Sequence, residues 1–430
     1  MSKTNRPDQD DNRAASQHDS GRRRILSASA LAAASGLAGF PIAALAKSRE
    51  VKIAVVTPLS GAWARSGEFE VEGARLAARH INAAGGIRAL GGAQVSIVPI
   101  DSGDSIEKAK SAAQRLVAQH PDVVGGIGAF VSSFTLAVTE VTERARMPWL
   151  TLSYSEAITN RGYHYVFQTS MLAGAQAENA LPVVARVAKA ATGKAPSTVG
   201  IIMDNTASPA SFTKPMRDGG FAKLGMRLVV DEVYTPPLSD ASSMVQKVRI
   251  ARPDLLLLLT TNVPDSELIL QGLNEMGLGK GRLPVLADGS SLGMPELLKM
   301  TSKSTLEGLM LVCANWQGKG EDAIAADWRK TTKEPWMTQE AISTYGEMWI
   351  FKDALEKAGA ADREKVAAAL RTLDLTTGPA RFFPGGRVQF DSQGRMVDAD
   401  LALVQWQDGV PKTVYPPSLA VAKVEWAKKA

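Results

Sequence analysis

The chain has 430 residues, of which 45% are apolar and 22% are charged, values typical of a globular protein. Its formal net charge is +5 at pH 7, and no block of lysine and arginine stands inside residues 47–426, which argues against a nucleic-acid-binding surface. The single cysteine, Cys313, excludes an internal disulfide. It stands in an apolar run that predicts a buried strand, so we interpret it as a core thiol rather than a nucleophile.

The first 46 residues have the pattern of an export segment. Arg22–Arg24 precede a run rich in Ala, Ser and Gly that ends at Ala44–Ala46. A basic region, an apolar region and a small-residue exit are the three parts of a cleaved export signal, and the paired arginines resemble a twin-arginine signal. A membrane anchor is the alternative, which Pro41 and the many small residues disfavour. We predict cleavage near Ala46 and a mature chain of residues 47–430 outside the cytoplasm.

Strands and helices are predicted to alternate in the first part of the mature chain. Short β-rich runs alternate with stretches whose apolar residues recur at helical spacing. Repeated units of this kind build a mostly parallel sheet with helices on both faces. The predicted strands are 51–56, 94–100, 123–127 and 149–153, and the predicted helices are 67–82, 105–120 and 133–145.

The alternation restarts after residue 170, which indicates a second α/β unit of similar make-up. The length of the mature chain also favours two lobes over one core. The predicted helices are 177–190, 212–224, 244–251 and 265–276, and the predicted strands are 199–203, 227–234, 255–259 and 285–287. Beyond them the sequence predicts helices at 339–358 and 363–373 and strands at 382–390 and 401–406.

Ten ordered segments resemble the periplasmic solute-binding proteins that serve ABC importers, in the branch that binds branched-chain amino acids and amides. Their common order over residues 50–410 carries the resemblance. The segments are Ile53–Gly61, Gly73–Ala77, Ile81–Ile87, Gly128–Ser133, Ile158–Tyr163, Phe167–Thr169, Thr344–Tyr345, Ala354–Gly359, Val388–Asp391 and Val404–Gly409.

This resemblance implies a type I periplasmic binding protein fold: two α/β lobes, each a mostly parallel sheet flanked by helices, that close on a ligand between them. It also implies a periplasmic monomer with no cofactor, no metal and no catalysis, whose partners are a small-molecule ligand and membrane permease subunits. We place lobe 1 at residues 47–169 and 311–375 and lobe 2 at residues 170–310 and 376–430, with three hinge crossings near 168–171, 308–315 and 374–380.

Three candidate ligand-binding residues follow strands of the first lobe, where open α/β sheets collect ligands. Trp63 is a candidate platform for an apolar or aromatic group, or a packing residue of the lobe surface. Ser132 and Ser133 open a predicted helix, where hydroxyls and free backbone N–H groups suit a carboxylate. A helix cap that needs no ligand is the alternative for both serines.

The loop after the fourth predicted strand supplies three further candidates. By resemblance, Leu152, Ser153 and Tyr154 contact the head group of an amino acid ligand through backbone and hydroxyl groups. Tyr154 has a second interpretation, as a core tyrosine whose hydroxyl is satisfied within the protein.

The second lobe supplies Ser208, Asn262 and Asp288. Ser208 stands where the family often has a tyrosine, and Asn262 lies in a loop where it often has another aromatic, so the lining here would be small and polar or aliphatic. Asp288 matches the acidic position that pairs with a ligand ammonium, and a buried carboxylate needs such a partner. A turn or helix-cap role is the alternative for Asp288.

The sequence therefore predicts a binding protein for a small amino acid-like solute. A receptor for a small carboxylate, amide, urea or aromatic acid is the alternative, as is a sensory receptor of the same fold. An enzyme is not expected, because the histidines lack metal-ligand spacing and neither a Walker-type phosphate loop nor a Gly-x-Ser-x-Gly motif is present.

Overall fold

Two open sheets organise the computed structural model, which describes residues 50–426; the predicted export segment, residues 1–46, lies outside this range. The first part of the chain alternates strand and helix as predicted. Its elements are β1 (Glu50–Thr57), α1 (Ala64–Ala83), β2 (Gln94–Asp101), α2 (Ile106–Gln119), β3 (Val123–Gly128), α3 (Ser132–Arg144), β4 (Trp149–Thr151) and β5 (Val166–Gln168).

These five strands form one parallel sheet in the order β2-β1-β3-β4-β5. β3 is buried along its whole length, and α1 turns its apolar residues inward, among them Phe69 and Leu76. The chain leaves α1 through Gly85 and Gly86, both with positive φ, which glycine adopts without steric cost. Because the five strands run parallel, their carboxyl ends all lie at one edge of the sheet.

The second part of the chain also alternates helix and strand. Its elements are α4 (Ala173–Thr192), β6 (Thr198–Asp204), α5 (Ala207–Pro215), α6 (Phe221–Lys223), β7 (Arg227–Tyr234), α7 (Ser242–Ala251), β8 (Leu255–Leu259), α8 (Val263–Glu275), β9 (Val285–Asp288), α9 (Pro295–Met300), α10 (Lys303–Leu306) and β10 (Met310–Cys313). The remaining elements are α11 (Asp322–Thr332), α12 (Gln339–Ala358), α13 (Arg363–Arg371), β11 (Asp374–Leu375), β12 (Val388–Gln389), β13 (Ala402–Gln407) and β14 (Val410–Tyr415).

Seven strands form the second sheet in the order β14-β13-β10-β9-β8-β6-β7. β6 to β10 run parallel, and β13 is antiparallel to both β10 and β14. Every residue of β8 is buried, as its unbroken leucine run predicts for a central strand of a parallel sheet. The α/β class with mostly parallel sheets flanked by helices is confirmed.

The strand pairing bears on where the chain passes between the sheets. β10 pairs with β9 and β13, so Met310–Cys313 lies in the seven-stranded sheet. The prediction assigns residues 311–375 to lobe 1. Arg395 bridges to Gln168, and Phe390 packs edge-on against Phe167, so residues 390–395 lie beside β5 of the first sheet and not with lobe 2, to which the prediction assigns residues 376–430. These two placements differ from the predicted boundaries, and the lobe division otherwise stays a prediction.

Two predicted elements are shorter or broken in the structure. The predicted strand 382–390 is reduced to β12, because Gly386 has a φ of 65° and a side chain on Gly385 would collide with the carbonyl oxygen of Asp398. The predicted helix 212–224 starts earlier and is interrupted at Gly219, whose φ of 116° is not helical. Both differences come from turn-forming residues that outweigh the surrounding apolar pattern.

Across residues 50–426, none of the helices combines the length and apolar character needed to span a bilayer.

Candidate functional site

A small cavity lies between the two sheets, where loops at their carboxyl ends meet the start of α12. Its volume is about 30 Å³, well below the roughly 150 Å³ of a cavity that holds benzene. Hydrogen bonds between Trp63 and Thr261 and between Ala207 and Ser133 hold the two sides of the molecule together around it. The lining residues are Phe130, Val131, Ser132, Leu152, Tyr154, Ser208, Thr260, Thr261, Asp288, Gly289, Ser290, Ser291, Gln339 and Glu340.

The structure brings five of the nine candidate residues together on this cavity and places the others behind it. The five are Ser132, Leu152, Tyr154, Ser208 and Asp288. The four that do not line it are Trp63, Ser133, Ser153 and Asn262. Ligand contact by any of the nine stays a prediction.

Asp288 ends β9 with a buried carboxylate. Its Oδ2 accepts a hydrogen bond from Ser208 Oγ at 3.0 Å, and its Oδ1 has no hydrogen-bond partner among the described residues. Burial is the largest influence on its pKa, which is raised to about 7 with smaller contributions from Asp204 and Glu156. Burying a carboxylate whose oxygen has no hydrogen-bond partner lowers the stability of the protein unless a cation or a hydrogen-bond donor pairs with it.

Ser132 is the first residue of α3, and its hydroxyl oxygen already accepts hydrogen bonds within the protein. Ser132 Oγ accepts hydrogen bonds from the backbone N–H groups of Tyr154 and Ser155, each at 3.2 Å. In the described part of the chain its hydroxyl hydrogen has no acceptor. The backbone N–H groups of Ser132 and Ser133 belong to the first helical turn, which has no carbonyl one turn earlier. This corner of the cavity suits an anionic oxygen.

Tyr154 closes the floor of the cavity by contacts within the protein. Its hydroxyl is hydrogen-bonded to Gln339 Oε1, and the backbone N–H of Ala314 donates to the same hydroxyl at 3.1 Å. The ring lies near the backbone of Gly289. Tyr154 is therefore both a lining residue and a satisfied buried tyrosine.

Trp63 takes part in the contact between the two sides of the molecule. Its Nε1 donates to Thr261 Oγ1 at 3.1 Å, and its ring packs edge-on against Phe134 at a centroid distance of 5.3 Å. Thr261 follows β8 in the second sheet, so this hydrogen bond joins the two sides. The packing alternative fits Trp63 better than a role as an open platform.

The other three candidates off the cavity hold local structure. Ser133 Oγ accepts from the backbone N–H of Ala207 at 3.1 Å, which is a second contact between the two sides. Asn262 caps α8, its side chain accepting from the backbone N–H of Asp265 at 2.9 Å. Ser153 Oγ donates to backbone carbonyls of the loop before α3.

Sequence reasoning did not single out Phe130, Gln339 or Glu340, although all three line the cavity. Phe130 directly precedes the serines that open α3 and could have been inferred with them. Gln339 and Glu340 begin a helix that is far along the chain, and only the fold shows that this end reaches the cleft. Within residues 50–426, no cluster of three metal-ligating side chains is present.

An ion pair also spans the rim of the closed cleft. Arg65 on α1 donates through Nε to Glu296 on α9, at 2.7 Å, and pairs as well with Glu68 and Glu334. The guanidinium also stacks over Phe69, 4.6 Å from the ring centroid. Because α1 flanks the first sheet and α9 packs on α8 of the second, the Arg65–Glu296 pair joins the two sides of the cleft.

A comparison with known families decides where this fold belongs. The family described as "Periplasmic binding protein" matches residues 50–411. The chain belongs to that family. The resemblance inferred from the ordered segments and the type I fold are thereby confirmed.

Relatives in this family include two Brucella proteins. "Leu/Ile/Val-binding protein homolog 8" of Brucella melitensis is 26% identical over 391 residues, covering 88% of this chain and 94% of that protein. "Leu/Ile/Val-binding protein homolog 7" of Brucella suis is 26% identical over 406 residues, covering 92% and 98%.

Solved structures share the fold at lower identity. A leucine-binding protein from Thermotoga maritima superposes with a TM-score of 0.70 at 20% identity, covering 86% of this chain and 99% of its own. A solute-binding protein of an ABC transporter from R. palustris, solved with benzoate, gives a TM-score of 0.71 at 16% identity, covering 89% and 100%. At these identities the likeness establishes the fold alone.

Proposed function

We propose that this chain is the exported binding protein of an ABC importer and that it captures a small solute with an amino acid head group between its lobes. The observation that carries the proposal is Asp288, a buried carboxylate that lines the cavity and whose Oδ1 has no hydrogen-bond partner among the described residues. A ligand ammonium would supply the missing partner, because burial leaves the charged form of Asp288 without water.

The same cavity offers a place for the opposite charge. The hydroxyl hydrogen of Ser132 and the first N–H groups of α3 can donate hydrogen bonds to a ligand carboxylate. No lysine or arginine is required for this contact. A zwitterion therefore finds an acceptor at Asp288 and donors at Ser132. The family membership supports this assignment, and the Brucella relatives carry names that refer to leucine, isoleucine and valine.

Binding of an aromatic acid is the second candidate. Phe130 lines the cavity, and solved neighbours hold benzoate or 3,4-dihydroxybenzoic acid. With a pKa near 7, a protonated Asp288 could donate a hydrogen bond to such an acid. The cavity of about 30 Å³ is too small for a ring and also for an amino acid, so either ligand would fit only if the lobes opened further.

Calorimetric titration of residues 47–430 with amino acids, amides, ureas and aromatic acids tests the proposal. We expect an amine-bearing ligand to bind, and Asp288→Asn to weaken it at least tenfold, as for a broken buried charge pair. Ser304→Ala, on an exposed segment, is the control. Binding confined to aromatic acids, unchanged by Asp288→Asn, would contradict the amino acid head group.

A transport role and a sensory role differ in the membrane protein that the closed form would contact. We propose permease subunits as that partner, with the protein acting as a periplasmic monomer. Ligand uptake by cells should then require both this protein and an ABC permease. A response of a membrane kinase to the closed form, with uptake unchanged when the protein is deleted, would support the sensory alternative.

A further inference from the structure

Glu340 is a buried acidic residue of the cavity that the proposed head-group contacts do not use. It is the second residue of α12 and is 1% exposed. Its Oε1 accepts from Ser290 Oγ and from Gln339 Nε2, the latter at 3.2 Å, and its Oε2 accepts from Thr338 Oγ1 at 2.8 Å. Three protein donors therefore hold the carboxyl group in position in the closed cleft.

The contact between Glu340 and Ser290 joins the two sides of the cleft. Ser290 follows Asp288 by two residues at the end of β9, whereas α12 packs along α1 beside the first sheet. Closure therefore brings two acidic side chains, Asp288 and Glu340, onto one small cavity. Both are buried there, and both line it.

The charge of the remaining lining is one-sided. Among residues 50–426, no lysine, arginine or histidine lines the cavity. An anionic ligand would face two carboxyl groups with only hydroxyls and helix N–H groups as donors. Burial raises the pKa of both carboxyl groups, so the repulsion of an anion in this poorly solvated site grows as they ionise. A zwitterion or a cation would instead place a positive charge beside the two carboxyl groups, which attract it.

The polarity around Glu340 also bears on the rest of the ligand. Ser290, Ser291, Gln339 and Thr260 share the cavity with it. The neighbouring side chains are hydrogen-bonded within the protein, whereas Glu340 Oε2 accepts a single hydrogen bond among the described residues. A branched aliphatic side chain placed against this oxygen would exclude water from it without supplying a second donor, which is unfavourable. A hydroxyl, carboxamide or amine would form hydrogen bonds there instead.

We propose that Glu340 is a specificity-determining residue that, together with Asp288, selects a small polar amine. The ligand class is an α-amino acid with a hydroxyl or carboxamide side chain, or an amino acid amide, with zero or positive net charge. The inference rests on the proposed function, because it takes the ammonium of the ligand to pair with Asp288.

The experiment is calorimetric titration of the mature chain with serine, threonine, asparagine, glutamine, leucine, valine and benzoate. The proteins are the natural sequence, Glu340→Gln, Glu340→Leu, Asp288→Asn and the control Glu347→Gln. Glu347 is buried two turns further along α12 but does not line the cavity. Thermal unfolding of each variant verifies that it folds, and Glu340→Gln retains the shape of the natural side chain.

We expect at least one of the four polar amino acids to bind ten times more tightly than leucine or valine. Glu340→Leu should weaken that ligand at least tenfold and strengthen leucine, while Glu340→Gln should raise the affinity for benzoate and Glu347→Gln should change neither. Failure of all four polar amino acids to bind would overturn the inference.

Two further outcomes separate this inference from the function on which it rests. Leucine or valine as the tightest ligand, lost in Asp288→Asn but unchanged in both Glu340 variants, would overturn the role of Glu340 and leave the amino acid head group intact. Benzoate as the tightest ligand, unchanged in Asp288→Asn, would overturn both.

Discussion

The indole nitrogen of Trp63 lies 3.1 Å from the hydroxyl oxygen of Thr261, and that hydroxyl donates in turn to Asp204 Oδ2 at 2.8 Å. The backbone N–H of Thr261 donates to the same carboxylate oxygen at 2.7 Å. Trp63, in the loop between β1 and α1, is thus hydrogen-bonded to the loop after β8 in the second sheet. Asp204, at the end of β6, holds that loop in place. This chain of hydrogen bonds stabilises the closed cleft.

Trp63→Phe should weaken ligand binding about fivefold, because a net hydrogen bond contributes on the order of 1 kcal/mol and is made only on closure. The ring contact with Phe134 is retained, so the thermal midpoint without ligand should change little. Calorimetric titration measures the affinity. Trp328→Phe is a matched control, since Trp328 is buried and its Nε1 has no partner among the described residues. Equal effects of the two variants would contradict a specific role for Trp63.

The ion pair between Arg65 and Glu296 should make ligand affinity depend on salt. Glu296→Gln should lower the affinity about two- to fivefold at low ionic strength, since partly exposed pairs contribute at most about 1 kcal/mol. The difference should shrink at 0.5 M NaCl because salt screens the pair. Glu68→Gln is the control: Glu68 contacts the same guanidinium but lies on α1 with it, so it does not span the cleft. A loss of affinity in Glu68→Gln as large as in Glu296→Gln would exclude a closure-specific effect.

The raised pKa of Asp288 predicts a definite pH dependence for an amine ligand. Burial raises this pKa to about 7, so below pH 7 a proton must leave before an ammonium can pair with the carboxylate. Affinity should therefore fall as the pH is lowered, by up to tenfold per unit below pH 7. Titrations at pH 5, 6, 7 and 8 measure the slope, which should vanish in Asp288→Asn. A carboxylic acid ligand would give the opposite slope.

Glu347 should make the folded protein less stable as the pH rises. Burial raises its pKa to about 8, above the usual 4.5. Among residues 50–426, Oε1 accepts from Thr169 Oγ1 at 2.8 Å and Oε2 has no partner. The folded state therefore keeps a proton that the unfolded chain releases above pH 4.5, and the associated stability is lost progressively up to about pH 8.

Glu347→Gln should reduce this loss by about 4 kcal/mol between pH 5 and pH 9, because the amide does not ionise and each pKa unit corresponds to about 1.4 kcal/mol. Denaturant unfolding at the two pH values measures it. Part of the decline should remain, since the pKa values of Asp288 and Glu321 are also raised by burial, each to about 7. Glu364→Gln, at an exposed position paired with Arg146, should leave the decline unchanged. Identical pH slopes for Glu347→Gln and the natural sequence would refute the assignment.

Most of the architecture follows from sequence periodicity, because the α/β units bury the apolar face of a helix against a β-rich strand. The leucine run of β8 and the helix of residues 339–358 were predicted at their observed bounds. Short elements escaped prediction: β5 has three residues, and β14 carries a polar lysine in its centre. Their strand character depends on pairing with neighbours, which is a property of the fold rather than of the local sequence.

The candidate site was predictable where it depends on chain order and unpredictable where it depends on closure. Ser132 and Asp288 directly follow or end parallel strands, and such positions gather at one edge of a sheet. Glu340 lies about fifty residues beyond Asp288 in a different helix, and no local pattern shows that they share a cavity. Trp63 was assigned to the cleft but not to its closing contact, because the partner Thr261 is separated from it by 198 residues.

Cys313 is the single thiol of the chain and is fully buried in β10, where burial raises its pKa. A thiol in that environment reacts slowly with alkylating reagents, since the thiolate is the reactive form. A cysteine placed at an exposed cleft position, such as Lys299→Cys on α9, would therefore be modified alone while the native thiol stays intact. The protein is thus ready for attachment of one environment-sensitive fluorophore, whose emission would report opening and closing without prior removal of the native cysteine.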